Sequence, residues 1–138
     1  MRLIEQIITL KHCCQNREEE LRENLGLTVS EYNCLASFPS DRTVSGSELA
    51  GHLHISPSRM SRVADALVRR DLINRTQSGS DRRVQHYELT SSGLRLKNDI
   101  RKSLEECEAG LIARLSESDL ADIEKGMSKL LEAMTLPD

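Results

Sequence analysis

Aromatic residues are scarce in this sequence, which has one phenylalanine, two tyrosines and no tryptophan among 138 residues. Proteins that hold single-stranded nucleic acid stack its bases on aromatic side chains, so the scarcity excludes that class. Long apolar runs are missing too, and a membrane-spanning helix needs about 20 consecutive apolar residues. The start of the chain lacks the basic-then-apolar pattern of a secretory signal. We therefore expect a cytoplasmic protein that has no membrane partner.

Sequence motifs of catalysis are also missing. The chain has no glycine-rich phosphate loop, no His-Glu-x-x-His zinc motif and no Gly-x-Ser-x-Gly nucleophile motif. Its four cysteines are Cys13, Cys14, Cys34 and Cys107. His12, Cys13 and Cys14 are types of metal ligand, but adjacent positions on a helix point about 100° apart. His12 and Cys13 could therefore not both bind a metal without help from Cys34, Cys107 or a second subunit. We expect a protein that is not an enzyme and has neither a cofactor nor a metal site.

The charges are distributed unevenly along the chain. The net charge is −3, but residues 41–95 carry +3, between an N-terminal part of −2 and a C-terminal part of −4. Residues 56–83 contain seven arginines and no lysine. Arginine suits bidentate contacts and contacts within DNA grooves better than lysine does. The pattern therefore favours a central module that binds an anionic partner, flanked by segments with another role.

The spacing of apolar residues predicts six helices and one β-hairpin. Gly26 ends the first helix, capping boxes open the second and third, and Ser56 with Pro57 opens the fourth. The predicted helices cover residues 3–25, 28–38, 45–53, 57–70, 90–114 and 116–134, and the predicted strands cover residues 72–76 and 84–89.

Two helices joined by a tight turn and followed by a hairpin are typical of a winged helix-turn-helix. The predicted fold is mainly α with a small β wing, and its first and last helices are dimerisation helices. The second helix of the motif begins with polar side chains that suit the edges of bases in a major groove, and arginines at the hairpin tip suit the adjacent minor groove. The predicted DNA-binding residues are Ser56, Ser58, Arg59, Ser61, Arg62, Asp81, Arg82 and Arg83.

At these residues the chain resembles the MarR family of bacterial transcription regulators, over essentially its whole length. The residues that carry the resemblance are Glu48-Leu49-Ala50, Leu53, Ile55-Ser56, Leu67, Leu72-Ile73, Asp81-Arg82-Arg83, Leu89-Thr90 and Gly93. Asp81 and Arg83 match the family's Asp-x-Arg wing pattern. The resemblance implies that Arg83 enters the minor groove and that Asp81 orients an arginine at the base of the wing. It also implies a homodimer that binds a pseudo-palindromic duplex.

One position departs from the family pattern. The turn of the helix-turn-helix often has glycine after the leucine, whereas His54 occupies that place here. A left-handed backbone conformation is unfavourable for a residue other than glycine. We therefore expect a slightly different turn.

Three segments follow from this organisation: an N-terminal dimerisation helix (1–26), a winged helix-turn-helix DNA-binding module (27–92) and C-terminal dimerisation helices (93–138). The predicted function is that of a transcription regulator that responds to a ligand or signal, and we expect it to be a repressor. An effector that changes the distance between the two DNA-binding helices would lower the affinity for DNA.

The effector remains an unknown small molecule, and the candidate effector or redox residues are Cys13, Cys14 and Tyr32. By resemblance its pocket lies near Cys14, Tyr32 and Leu96. Two alternatives stay open. One is a thiol-based redox regulator that uses Cys13 and Cys14, and the other is a winged-helix module that binds a protein and no longer binds DNA.

Overall fold

The computed structural model describes residues 1–76 and 83–136. The chain forms two compact units, Met1–Arg101 and Lys102–Asp138. Their elements, in chain order, are α1 (Leu3–Leu25), α2 (Val29–Ser37), β1 (Val44–Ser45), α3 (Gly46–Leu53), α4 (Pro57–Arg69), β2 (Ile73–Thr76), β3 (His86–Leu89), α5 (Ser91–Ile112) and α6 (Glu117–Thr135). This order confirms the predicted fold, mainly α with a small β wing.

Local capping sets the helix boundaries near α2. Gly26 ends α1 in the left-handed conformation at φ 67°, as expected of a glycine after a helix. Thr28 and Glu31 form the predicted reciprocal capping box of α2. The Thr28 hydroxyl accepts from the Glu31 amide at 3.2 Å, and the Glu31 carboxylate accepts from the Thr28 amide at 3.1 Å. The chain therefore passes from α1 to α2 through residues 26–28.

The predicted capping box of α3 is only half formed. The Ser45 hydroxyl accepts from the Glu48 amide at 3.1 Å, as predicted. The Glu48 carboxylate, however, accepts two hydrogen bonds from Arg42, at 2.7 and 3.1 Å. A bidentate guanidinium–carboxylate pair is stronger than a hydrogen bond from a neutral amide, so the carboxylate turns towards Arg42.

The sheet has three strands, whereas a two-stranded hairpin was predicted. Its order is β1-β3-β2, and both pairings are antiparallel. Tyr87 of β3 lies opposite Val44 of β1 on one side and Arg75 of β2 on the other. β1 has two residues, and a strand of that length is too short to show the alternation by which a strand is predicted.

The core of the first unit lies between α2, α3, α4 and the sheet. Leu35, Phe38, Leu49 and Leu67 are fully buried there. α4 buries the apolar face that its sequence predicts, formed by Met60, Val63, Ala64 and Leu67. The opposite face of α4 is therefore the one left to solvent.

The helices outside this core leave large apolar side chains exposed. Every residue of α1 and of α6 is exposed or half-buried. On α1 the exposed apolar residues include Leu3 and Ile8, and on α6 they include Ile123, Met127 and Met134. Open apolar faces of this kind mark sites of association. No helix among the described residues has an apolar stretch long enough to cross a bilayer.

Candidate nucleic-acid interface

The turn between α3 and α4 keeps the left-handed geometry that a glycine would favour. His54 has φ 52° and ψ 43°, so the expected change in the turn does not occur. The amide of Ile55 donates to the Ala50 carbonyl at 3.1 Å, which closes the end of α3. The turn therefore ends α3 at a backbone cost for His54 of about 1–2 kcal/mol.

The N-terminus of α4 is built from the residues that the sequence predicts. The Ser56 hydroxyl accepts from the Arg59 amide at 3.2 Å and lies 3.2 Å from the Ser58 hydroxyl. Pro57 occupies the first helical position. The remaining amides of the first turn and the helix dipole make this end attractive to an anion.

The predicted contact residues share the solvent side of this helix. Ser56, Ser58, Arg59, Ser61 and Arg62 are all exposed. They lie opposite the buried apolar face, so the core holds the helix by one side and presents these side chains on the other.

The predicted wing residues are described only in part. Asp81 and Arg82 lie outside the described residues. Arg83 is exposed and precedes β3. It lines a cavity of about 180 Å³ together with Ser61 of α4, Ser47 of α3 and Tyr87 of β3. The structure thus brings one predicted wing residue and one predicted helix residue to the same concave surface.

Two of the seven arginines of residues 56–83 pair with other groups of the protein. Arg75 forms an ion pair with Asp65 of α4. Arg70 donates to the Gly26 carbonyl at 2.9 Å and to the Glu31 carboxylate at 2.7 Å. These two arginines act within the protein. Their partners lie 10 to 44 residues away along the chain, at separations that no local pattern reveals.

Glu31 is the buried carboxylate of this region, with 6% of its surface exposed. Burial alone would raise its pKa. Hydrogen bonds from Arg70 and Thr28, together with the positive charge of Arg70, outweigh burial and hold the pKa below the ordinary glutamate value. Glu31 therefore stays ionised and keeps its partners.

The candidate effector and redox residues lie in different surroundings. Cys13 and Cys14 are exposed on α1, whereas Tyr32 is buried in the core, where burial raises its pKa. Burial also raises the pKa of Cys34 to about 12, so this thiol is unreactive near neutral pH. Within the described residues, no three His, Cys, Asp or Glu side chains cluster in a way that suits a metal ion.

A model of the MarR family matches residues 27–84. An uncharacterized HTH-type transcriptional regulator of Bacillus subtilis, YhbI, is 30% identical over 117 residues, which cover 83% of this chain and 76% of YhbI. The chain belongs to the MarR family.

Two further proteins are similar to this MarR-family chain over almost its whole length. The transcriptional repressor MprA of Escherichia coli is 28% identical over 138 residues, which cover 94% of this chain and 78% of MprA. The structure of Streptococcus pneumoniae FabT in complex with DNA has a TM-score of 0.81 at 20% identity, and it covers 95% of this chain and 94% of FabT. At that identity the FabT structure supports the fold alone.

Proposed function

We propose that this MarR-family protein is a transcriptional repressor that binds duplex DNA as a homodimer and responds to a small-molecule effector or another signal. The observation that carries the proposal is the exposed face of α4, where Ser58, Arg59, Ser61 and Arg62 project beside a capped helix N-terminus. A major groove admits one helix, and serine and arginine side chains bond to base edges there.

The cavity beside α4 extends this surface towards the wing. Arg83 and Ser61 both line this cavity, which supports a contact of Arg83 with the adjacent backbone or minor groove when α4 lies in the major groove. Asp81 and Arg82 complete the proposed wing contact by resemblance to the family. MprA and other relatives are named as repressors, and FabT is bound to DNA in its solved structure. Both agree with this assignment.

The open apolar faces support a homodimer. Ile123, Met127 and Met134 lie at helical spacing on α6 and are each more than 40% exposed in the single chain. Burying one such side chain gains about 2 kcal/mol, so pairing with a second chain stabilises both copies. Two copies related by a twofold axis would present two α4 helices to a pseudo-palindrome.

Static light scattering tests the homodimer. The wild type should have twice the 15.5 kDa mass of the chain. Met127→Glu should dissociate the dimer at micromolar concentration, because it places a charge on the apolar face. Ala121→Glu adds the same charge on the other side of α6 and should leave the dimer intact. A wild type of single-chain mass would refute the homodimer.

We propose further that the protein is not an enzyme and that it acts in the bacterial cytoplasm, where chromosomal DNA lies. The relatives that support this are bacterial transcription regulators. A regulator needs an exposed binding surface and no reacting centre, and the α4 face fits that requirement.

The central experiment is selection of duplexes by the wild type from a random library, followed by affinity measurement between about 50 and 200 mM salt. Arg62→Ala should reduce the preference for the selected duplex over a scrambled one. Arg83→Ala should weaken binding and lower the salt slope by about one or two per dimer. Arg114→Ala, in the second unit, serves as the charge-matched control. If no duplex is preferred, the proposal fails and the module that binds a protein becomes the better explanation.

A further inference from the structure

A three-way polar junction ties the C-terminal end of α4 to the ends of two other helices. Nη1 of Arg70 donates to the Gly26 carbonyl, which ends α1, at 2.9 Å. It also donates to Oε2 of Glu31, in the first turn of α2, at 2.7 Å. We name Gly26, Glu31 and Arg70 the Arg70 junction.

The Arg70 junction adds a directional restraint to the apolar packing that already holds α4. Apolar attraction is non-directional, whereas hydrogen bonds weaken steeply when their geometry changes. Glu31 is fixed in place, because it is 6% exposed and its other oxygen accepts from the Thr28 amide. Gly26 is held as well, because its amide donates to the Glu23 carbonyl at 3.2 Å and the next amide, of Leu27, donates to the Arg22 carbonyl at 2.9 Å. Arg70 therefore bonds to two acceptors that are themselves held.

The length of α4 converts a small change at this junction into a large displacement at the other end. A helix of 13 residues is about 20 Å long. A tilt of about 10° at Arg70 would move the Ser56 end by about 3.5 Å, close to the 3.4 Å rise of one base pair.

From this geometry we infer that Arg70 is a positioning residue that sets the direction of α4 against α1, and thereby the half-site spacing that the homodimer accepts. The inference rests on the proposed function, because it takes α4 as the DNA-binding helix and α1 as part of the dimer. In this account Arg70 makes no DNA contact. It acts through the side chains at the opposite end of α4.

The test measures dependence on spacing. Duplexes selected by the wild type are altered so that the centre between the half-sites is longer or shorter by one base pair. The affinities of the wild type, Arg70→Met and Arg69→Met are then measured. Arg70→Met keeps an unbranched side chain and removes the donors. Arg69→Met removes the same charge from the adjacent exposed residue, so it controls for the loss of attraction to DNA.

The wild type and Arg69→Met should lose at least about tenfold in affinity for either altered spacing, because one half-site is then misplaced. Arg70→Met should bind the best duplex more weakly and lose less than about threefold on the altered duplexes. A general loss of stability would lower all affinities without changing these ratios.

Glu31→Gln provides a second variant in case Arg70→Met does not fold, which circular dichroism would reveal. It keeps an amide oxygen for Thr28 and removes the charge that Arg70 pairs with, and it should also flatten the spacing dependence. If either folded variant retains the tenfold dependence of the wild type, the inference is wrong. If the wild type prefers no duplex at all, the proposed function has failed instead.

Discussion

Replacing Gly93 with alanine should destabilise the protein strongly, because Gly93 lies against the backbone at the start of α5. A Cβ at this position would be 1.9 Å from the Leu72 carbonyl oxygen and 2.9 Å from its carbon. Ordinary contact begins at 3.4 Å, so the two segments would have to separate by about 1.5 Å.

That separation would break two hydrogen bonds between the start of α5 and the segment before β2. The Thr90 amide donates to the same Leu72 carbonyl at 3.1 Å, and the Thr90 hydroxyl donates to the Asp71 carbonyl at 2.6 Å. Losing both costs about 2 kcal/mol. Forcing an extra methyl into a packed site costs about 2 kcal/mol more. The better helix propensity of alanine returns about 1 kcal/mol. The net loss is therefore about 3 kcal/mol.

Thermal unfolding at one fixed protein concentration measures this loss, since the stability of a dimer depends on concentration. Gly93→Ala should lower the melting temperature by about 10 °C. Gly51→Ala is the matched control, because Gly51 also lies in a helix but a Cβ there meets nothing within 4 Å. A Gly93→Ala protein within about 0.5 kcal/mol of the wild type would refute the packing argument.

Three further predictions concern other positions of the first unit. His54→Gly should raise the free energy of unfolding, measured by denaturant titration, by about 0.5–1 kcal/mol. The reason is that relief of the left-handed strain exceeds the cost of the greater unfolded-state entropy of glycine. A loss of stability would contradict this prediction. Cys34 should resist alkylation in the native protein and react only on unfolding, since burial raises its pKa to about 12. Mass spectrometry measures the label, and a native protein alkylated at Cys34 would contradict this prediction. The pKa of Glu31 is lowered in the folded state, so its stabilising contribution is present above the ordinary value of 4.5 and is lost as pH falls through the folded pKa. Between about pH 5 and 3, the free energy of unfolding should therefore depend less on pH in Glu31→Gln than in the wild type. Equal slopes in the two proteins would count against the Arg70–Glu31 pair.

Much of the fold follows from local patterns in the sequence. The caps at Gly26, Thr28 and Ser56 are short-range signals, and each marks a helix boundary in the structure. The apolar period of α4 likewise predicts which of its faces is buried. Such signals need only neighbouring residues, so the sequence contains them in full.

Other features depend on residues far apart in the chain and were missed. β1 exists because Val44 pairs with Tyr87, 43 positions later, and its two residues carry no pattern of their own. Arg70 was counted among the arginines of the basic module, although its guanidinium donates to Gly26 and Glu31 of the protein itself. The change expected in the turn at His54 was wrong, because the histidine adopts the left-handed conformation that ends α3 in place of a glycine.

The central claim is that the exposed face of α4 recognises a specific duplex. The most direct measurement is the ratio of affinities of the wild type for its selected duplex and for a scrambled duplex of the same length, at about 150 mM salt. The account predicts a ratio of at least about 10³ that falls by about tenfold or more in Arg62→Ala. A ratio near one in the wild type, or an unchanged ratio in Arg62→Ala, would contradict it.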